Sequence, residues 1–377
     1  MEMRFKENFK NEYASSTTVS CCDGESVLSK ATFGTRNSRY CGKYIKTLTV
    51  GGVSTEPEHR RSGYVRQMFD KVLPIAPEHG CSVTMLHPFS FAYYRMFGYE
   101  RVCDHLIVEF PMSKLEYLPR VNDLVKLSGN DRVSDVIKIY EEFASKRNIM
   151  FQRFNGAYWP LEPKLSEKTT YIRYHGNEPE GYITLGVEKY FKVNHSASIN
   201  LNVYEMAYIN ADALRDLLGF VRMFEGENET VKIHNCAMMP ELDLMLRHYT
   251  HTSYVTVPDV MARVLDTKAM LEANEYPRAY GHFTVAVEDK LPSVAGVYEV
   301  EYQNGNGDVK KVSDSADSFT GKYDLRCTVQ AFTQLIYGYY SVTPAMLSYV
   351  DGVIESGDTD DFCRAFPKRY AGVFEHF

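Results

Sequence analysis

The period of apolar and polar positions changes several times along the chain, and each change marks an element. From Tyr44 to Thr55 the run YIKTLTVGGVST alternates β-branched and polar residues, which predicts a strand with Gly51-Gly52 as a bend or bulge. Beyond Pro57 and Arg60-Arg61-Ser62-Gly63, apolar residues fall at Tyr64, Val65, Met68, Phe69, Val72 and Leu73. Pairs recurring every four residues predict a helix with one buried face, stopped by Pro74. Ser82–Leu86 reads as a second strand, Phe91–Met96 as a short helix and Leu106–Phe110 as a third strand. Strand, helix and strand in such close succession make a βαβ-like unit.

A second α/β block spans about Val133 to Ala262. Its helix, Asp212–Phe224, carries Leu214, Leu217, Leu218, Val221 and Phe224 on one face, with Asn210 as candidate cap. Strands are expected at Thr169–Tyr174, Gly181–Val187, Ala197–Ile209 and Val231–His234. The strand-to-helix connection here, INADALRD, holds no glycine and no arginine pair. A third block begins near Asp266, where His282–Val287 and Val297–Tyr302 alternate as half-buried strands. Asn304-Gly-Asn-Gly-Asp308 predicts a hairpin turn before a strand at Val309–Val312. The uncharged stretch Cys327–Val350 contains Gln330, Gln334, Gly338 and Pro344 and reads as two buried helices, the second starting at Ser341-Val-Thr-Pro344. The expected fold class is α/β (α+β), with domains at 1–128, 129–264 and 265–377.

Composition narrows the function classes. The 377 residues carry a formal charge of −7, against the basic surplus of a nucleic-acid binder and compatible with a cationic substrate. No nucleic-acid or membrane partner is expected. The N-terminus MEMRFKENFKNEY alternates charge with aromatics and has no apolar signal core. Eight cysteines show no CxxC pair, and Cys21-Cys22 are adjacent, so free thiols in a cytoplasmic protein are expected. The eleven histidines form no HxxxH or H-x-E arrangement, and no metal site is expected.

The candidate chemistry lies in Arg60-Arg61-Ser62-Gly63-Tyr64-Val65, between a strand and a helix N-terminus. Backbone N–H groups, the positive end of a helix dipole and two guanidinium groups together suit a diphosphate. On spacing alone the same loop is equally a solvated basic helix start. The wider context, VSTEPEHRRSGYVRQMF followed by HPFSFAYYRMFGYE, resembles the GNAT acyltransferase superfamily. Within it, the chain resembles the enhanced intracellular survival (Eis-like) family. That resemblance implies a GNAT domain, a second GNAT-like domain without the coenzyme A loop, and a sterol-carrier-protein-like domain.

It further implies acetyl-coenzyme A as cosubstrate and a primary amine as acceptor, of aminoglycoside, polyamine or lysine type. Val53, Ser54 and Thr55 would pair with the pantetheine arm, and Arg60 through Arg66 would cradle the pyrophosphate. Phe89 and Ser90 would sit beside the cofactor, Tyr94 would be the general acid, and Phe377 would bring a main-chain carboxylate into the site. His87 is a candidate for the substrate pocket, and a hexamer is the implied assembly. Val65 departs from the glycine or alanine found in many superfamily members. Fewer residues than usual precede the coenzyme A strand, so an early strand and part of a helix are expected to be missing. A competing reading makes the C-terminal domain a lipid carrier and the GNAT domains its scaffold.

Overall fold

The computed structural model describes residues 2–12, 14–129, 131–153, 168–191, 197–246 and 250–375, with two compact units. The first comprises residues 1–103, 259–369 and 375–377, and the second residues 104–258 and 370–374. In chain order the elements of the first stretch are β1 (Glu2–Lys10), β2 (Ser15–Asp23), β3 (Ser26–Tyr40), β4 (Lys43–Thr55), α1 (Tyr64–Val72), β5 (Val83–Leu86) and α2 (Phe91–Arg95). Next come β6 (Glu100–Pro111), β7 (Val125–Lys126), α3 (Val133–Ser145), β8 (Thr169–His175), β9 (Glu178–Phe191) and β10 (Ala197–Tyr208). Then follow α4 (Ala211–Val221), β11 (Thr230–Ile233), α5 (Pro240–Met245) and β12 (Ser253–Val264). The last stretch holds α6 (Thr267–Ala273), β13 (Gly281–Glu288), β14 (Gly296–Gln303), β15 (Asn306–Ser313), β16 (Leu325–Thr328), α7 (Val329–Ile336), β17 (Val353–Ser356) and α8 (Asp360–Ala365).

In the first unit the strands run in the order β1-β2-β3-β4-β5-β12. Neighbours are antiparallel except β4 and β5, which are parallel, as a helical crossover between them requires. All three elements ahead of β4 are strands, and no helix precedes it among the described residues. The helix α1 buries Val65, Met68, Phe69 and Val72, the face its four-residue spacing predicts. Phe69 contacts the rings of Phe33, Phe97 and Tyr99, so one side chain ties strand, helix and the segment after α2 together. Truncating such a side chain to alanine costs about 3–5 kcal/mol.

The C-terminal part of this unit forms a second sheet, ordered β15-β14-β13-β16-β17. Asn304 and Gly305 take φ of +55° and +88°, the left-handed pair that a two-residue hairpin turn needs. The stretch 327–350 departs from expectation. Only its first half is a buried helix, α7, whose Phe332, Leu335 and Ile336 fill core. Gly338, at φ +62°, ends it, and Pro344–Tyr349 is a single 3-10 run in which only Leu347 is buried. Lack of charge is therefore a poor guide to burial here, because Met346 and Tyr349 face solvent.

The second unit has the strand order β6-β11-β10-β9-β8-β7, with α3 and α4 packed on it. Asn210 caps α4 through its side chain, which accepts from the Ala213 N–H at 2.8 Å. None of the eight cysteines forms a disulfide. Among the described residues no helix is long and apolar enough to cross a membrane.

Candidate active site

The site begins where two parallel strands part. β4 and β5 pair from Thr47 opposite Val83 to Val50 opposite Leu86, and β5 ends there. β4 runs on to Thr55 with a partner on one side only, Thr55 opposite Ser29 and Ser54 opposite Lys30 of β3. The register slips between Lys30 and Thr32, and Gly52 sits opposite the slip at φ +58°, so the glycine pair is indeed a bulge. The other edge of residues 51–55 presents backbone donors and acceptors to an extended ligand, as an added strand would use them.

The chain then turns through Pro57–His59 into the arginine loop. Arg61 and Gly63 both take left-handed φ, +65° and +79°. Alternating hand in this way turns successive N–H groups toward one concave side, an anion-binding arrangement. Gly63 is the residue ahead of α1 and supplies no capping side chain. The first-turn amides of α1 are therefore left for a ligand, with the positive end of the helix dipole behind them. Arg60, Arg61 and Arg66 are exposed, and none has a carboxylate partner among the described residues. Together these groups line a cleft of about 820 Å³ with Val53, Ser54, Thr55, Ser62, Tyr64, Val65 and Phe89.

The remaining candidates separate. Ser90 does not line the cleft; its hydroxyl caps α2, accepting from the Tyr93 N–H at 3.3 Å. His87 lies just past β5, half-buried, its Nδ1 donating to Asp259 Oδ1 at 2.8 Å. Phe377 lies outside the described residues. Tyr94 is only 3% exposed and is enclosed by the rings of Phe89, Tyr93 and Tyr99. Burial, and to a lesser degree neighbouring Tyr93, pushes its hydroxyl up to about 12. Of the two α2 tyrosines it is Tyr93 that lines the cleft, together with His59, Met96 and Phe97, none of which the sequence assigned to the cofactor. Burial raises the Tyr93 hydroxyl and Arg66 opposes the rise. Adjacent residues of a helix point about 100° apart. One of the pair must face the core, and the sequence does not say which.

The segment after α2 is pinned from behind. Arg263 of β12 donates to the Phe97 carbonyl and pairs with Asp289 at 2.8 Å, both side chains nearly fully buried. Gly98, at φ +84°, is where the guanidinium passes; a Cβ there would stand 2.0 Å from its Nη1. Gln330 of α7 donates to the Arg95 carbonyl at 3.2 Å, and Asp351 pairs with Arg95 at 3.1 Å.

The second unit repeats the strand geometry without the loop. β10 and β11 are parallel from Asn200 opposite Thr230 to Val203 opposite Ile233. Beyond that point Glu205 of β10 accepts from Arg153 at 2.6 and 3.1 Å and from Tyr182 of the neighbouring β9. At α4 the Asn210 side chain already occupies the first-turn N–H of Ala213.

Sequence comparison places an acetyltransferase (GNAT) domain over residues 2–102 and another over 150–264, followed by a sterol carrier protein domain over 267–368. No curated protein matches the chain significantly. Among solved structures, a GCN5-related N-acetyltransferase from Anabaena variabilis is 16% identical, with 96% of this chain and 89% of that one covered at a TM-score of 0.80. A probable N-acyltransferase from Enterococcus faecalis is 18% identical, covering 97% and 90% at 0.77. Eis1 from Mycobacterium abscessus is 15% identical, covering 96% and 90% at 0.76. At these identities the likeness establishes the fold, while the two acetyltransferase matches span most of the first and second blocks read from the sequence. The chain is a GNAT acetyltransferase, with two GNAT domains in tandem and a sterol carrier protein domain in an Eis-like architecture.

Proposed function

We propose that the chain transfers the acetyl group of acetyl-coenzyme A to a primary amine at the cleft of the first unit. One observation carries this reading: an open strand edge, an uncapped helix start and three unpaired guanidinium groups share one cleft. The strand edge of Val53–Thr55 takes the pantetheine amides and the Arg60–Arg66 loop takes the diphosphate. That leaves the thioester near the parting of β4 and β5. The neutral amine attacks the carbonyl carbon, the tetrahedral centre collapses, the C–S bond breaks and the amine loses a proton. The departing thiolate takes a proton from a tyrosine, and the tyrosinate regains one, through water, from the amine nitrogen. The carboxylate of Phe377, as the family resemblance implies, holds the incoming ammonium and helps remove its proton through water.

Tyr94 is the proposed acid. Its hydroxyl stays protonated at neutral pH, but with a value near 12 it is a weaker donor than an ordinary tyrosine toward a thiol whose own value is about 8.5. A second reading assigns the proton to Tyr93, favoured by its place on the cleft wall and by Arg66 beside it. The amine class is aminoglycoside, polyamine or lysine-like. The test is release of coenzyme A thiol from acetyl-coenzyme A against a panel of these amines. Acceptor-dependent release is expected, and binding of coenzyme A with no release for any amine would overturn the proposal.

A further inference from the structure

A second cavity, of about 460 Å³, adjoins the cleft within the first unit. It shares Arg66, Met96 and Phe97 with the cleft as common wall. From there it runs along α1 past Phe69 and Asp70 and is closed by the C-terminal part of the unit, at Glu288–Leu291 and Thr328–Gln330. Its volume falls within the range of about 300–1,000 Å³ usual for small-molecule sites.

The charges around it are not equivalent. Arg263 is neutralised by Asp289 at 2.8 Å, and Glu288 by Arg326, whose Nε lies at 2.6 Å. Asp70 is the remaining carboxylate, and Arg66 and Lys290 are the remaining cations; among the described residues neither cation has an ion-pair partner. The cavity thus keeps a small positive surplus, with Arg66 in the wall shared with the cleft and Lys290 in the part that closes it. Arg66 lies 5.1 Å over the Phe97 ring, a guanidinium plane held where a flat heterocycle could stack on it. Coenzyme A continues beyond its diphosphate into an adenosine that carries a 3′-phosphate. A ligand with its diphosphate on the Arg60–Arg66 loop meets this cavity at the next step.

We propose that the adenosine 3′-phosphate end of the cosubstrate lies in this second cavity, with Arg66 against the base and Lys290 on the 3′-phosphate. This rests on the cofactor reading above and extends it: the sterol carrier protein domain then contributes a residue to cofactor recognition. Lys290 is exposed and has no ion-pair partner among the described residues, so its reversal is suited to a binding test.

The experiment compares coenzyme A with 3′-dephospho-coenzyme A by calorimetry, and their acetyl forms by turnover, in the wild type and in Lys290→Glu. Loss of the 3′-phosphate should weaken binding to the wild type by roughly tenfold, about 1.4 kcal/mol. Lys290→Glu should weaken coenzyme A by a similar factor, raise its KM without changing kcat, and move the dephospho form by less than twofold. An equal effect on both ligands, or none, overturns the inference while the cleft assignment stands. Tight coenzyme A binding without turnover overturns the proposed function alone and leaves the calorimetric comparison decisive. Absence of coenzyme A binding removes both.

Discussion

The two adjacent tyrosines of α2 face different surroundings. On the five residues of α2, Tyr94 turns into the aromatic core and Tyr93 onto the cleft wall. If Tyr94 is the acid, Tyr94→Phe keeps cofactor affinity and lowers turnover by roughly 10²–10⁴-fold, whereas Tyr93→Phe changes it little. The reverse pattern transfers the role to Tyr93. A Tyr94 hydroxyl near 12 also predicts the pH profile: the acid form persists through neutrality, so this group should impose no falling limb on turnover below about pH 10. The residue scale is where the sequence was least complete. The arginine loop was legible because its chemistry sits in consecutive residues and its backbone needs Gly63. Asp259 was not, because it meets His87 from a distant strand and nothing local links them.

Among elements, α2 and the turn after it depend on groups supplied from elsewhere in the first unit. The Arg263 guanidinium fills the space beside Gly98 and is held by the Phe97 carbonyl and Asp289. In Gly98→Ala the new methyl must displace that guanidinium, and the backbone must also keep a left-handed φ costing about 1–2 kcal/mol. Opening a buried ion pair costs about 3–5 kcal/mol, so the variant should lose several kcal/mol in denaturant unfolding; a loss under about 1 kcal/mol would contradict the clamp. Elements with a strong period, α1, α4, β13 and β14, could be read directly from the sequence. β12 could not, since Pro258 interrupts it and proline reads as a strand breaker. β1 was equally hidden: it is exposed along nearly its whole length, Phe5 and Phe9 included, so no buried face imposes an alternation.

At the scale of the whole molecule, residues 370–374 are held in the second unit and Glu375 in the first. In the second unit Asn148 donates its N–H to Tyr370 O at 2.8 Å and accepts from Gly372 N–H at 3.2 Å. In the first unit half-buried Arg36, whose pKa burial lowers, is partly compensated by the charge of Glu375. If a carboxylate on Phe377 serves the reaction, a few residues appended after it should cut turnover at least tenfold. Cofactor affinity and circular dichroism should be unchanged; full activity would remove the carboxylate from the mechanism. The strand β12 has a different consequence, for the birth of the protein. Met261–Val264 complete the first unit's sheet by pairing with Val83–Leu86, yet residues 104–258 are made in between. At a synthesis rate of about 5–20 residues per second, the nascent β5 waits on the order of ten seconds with an unpaired edge. The cofactor-binding half therefore cannot be finished as it leaves the ribosome. A chain stalled or cut before β12 exposes a sheet edge open to aggregation rather than a smaller working enzyme.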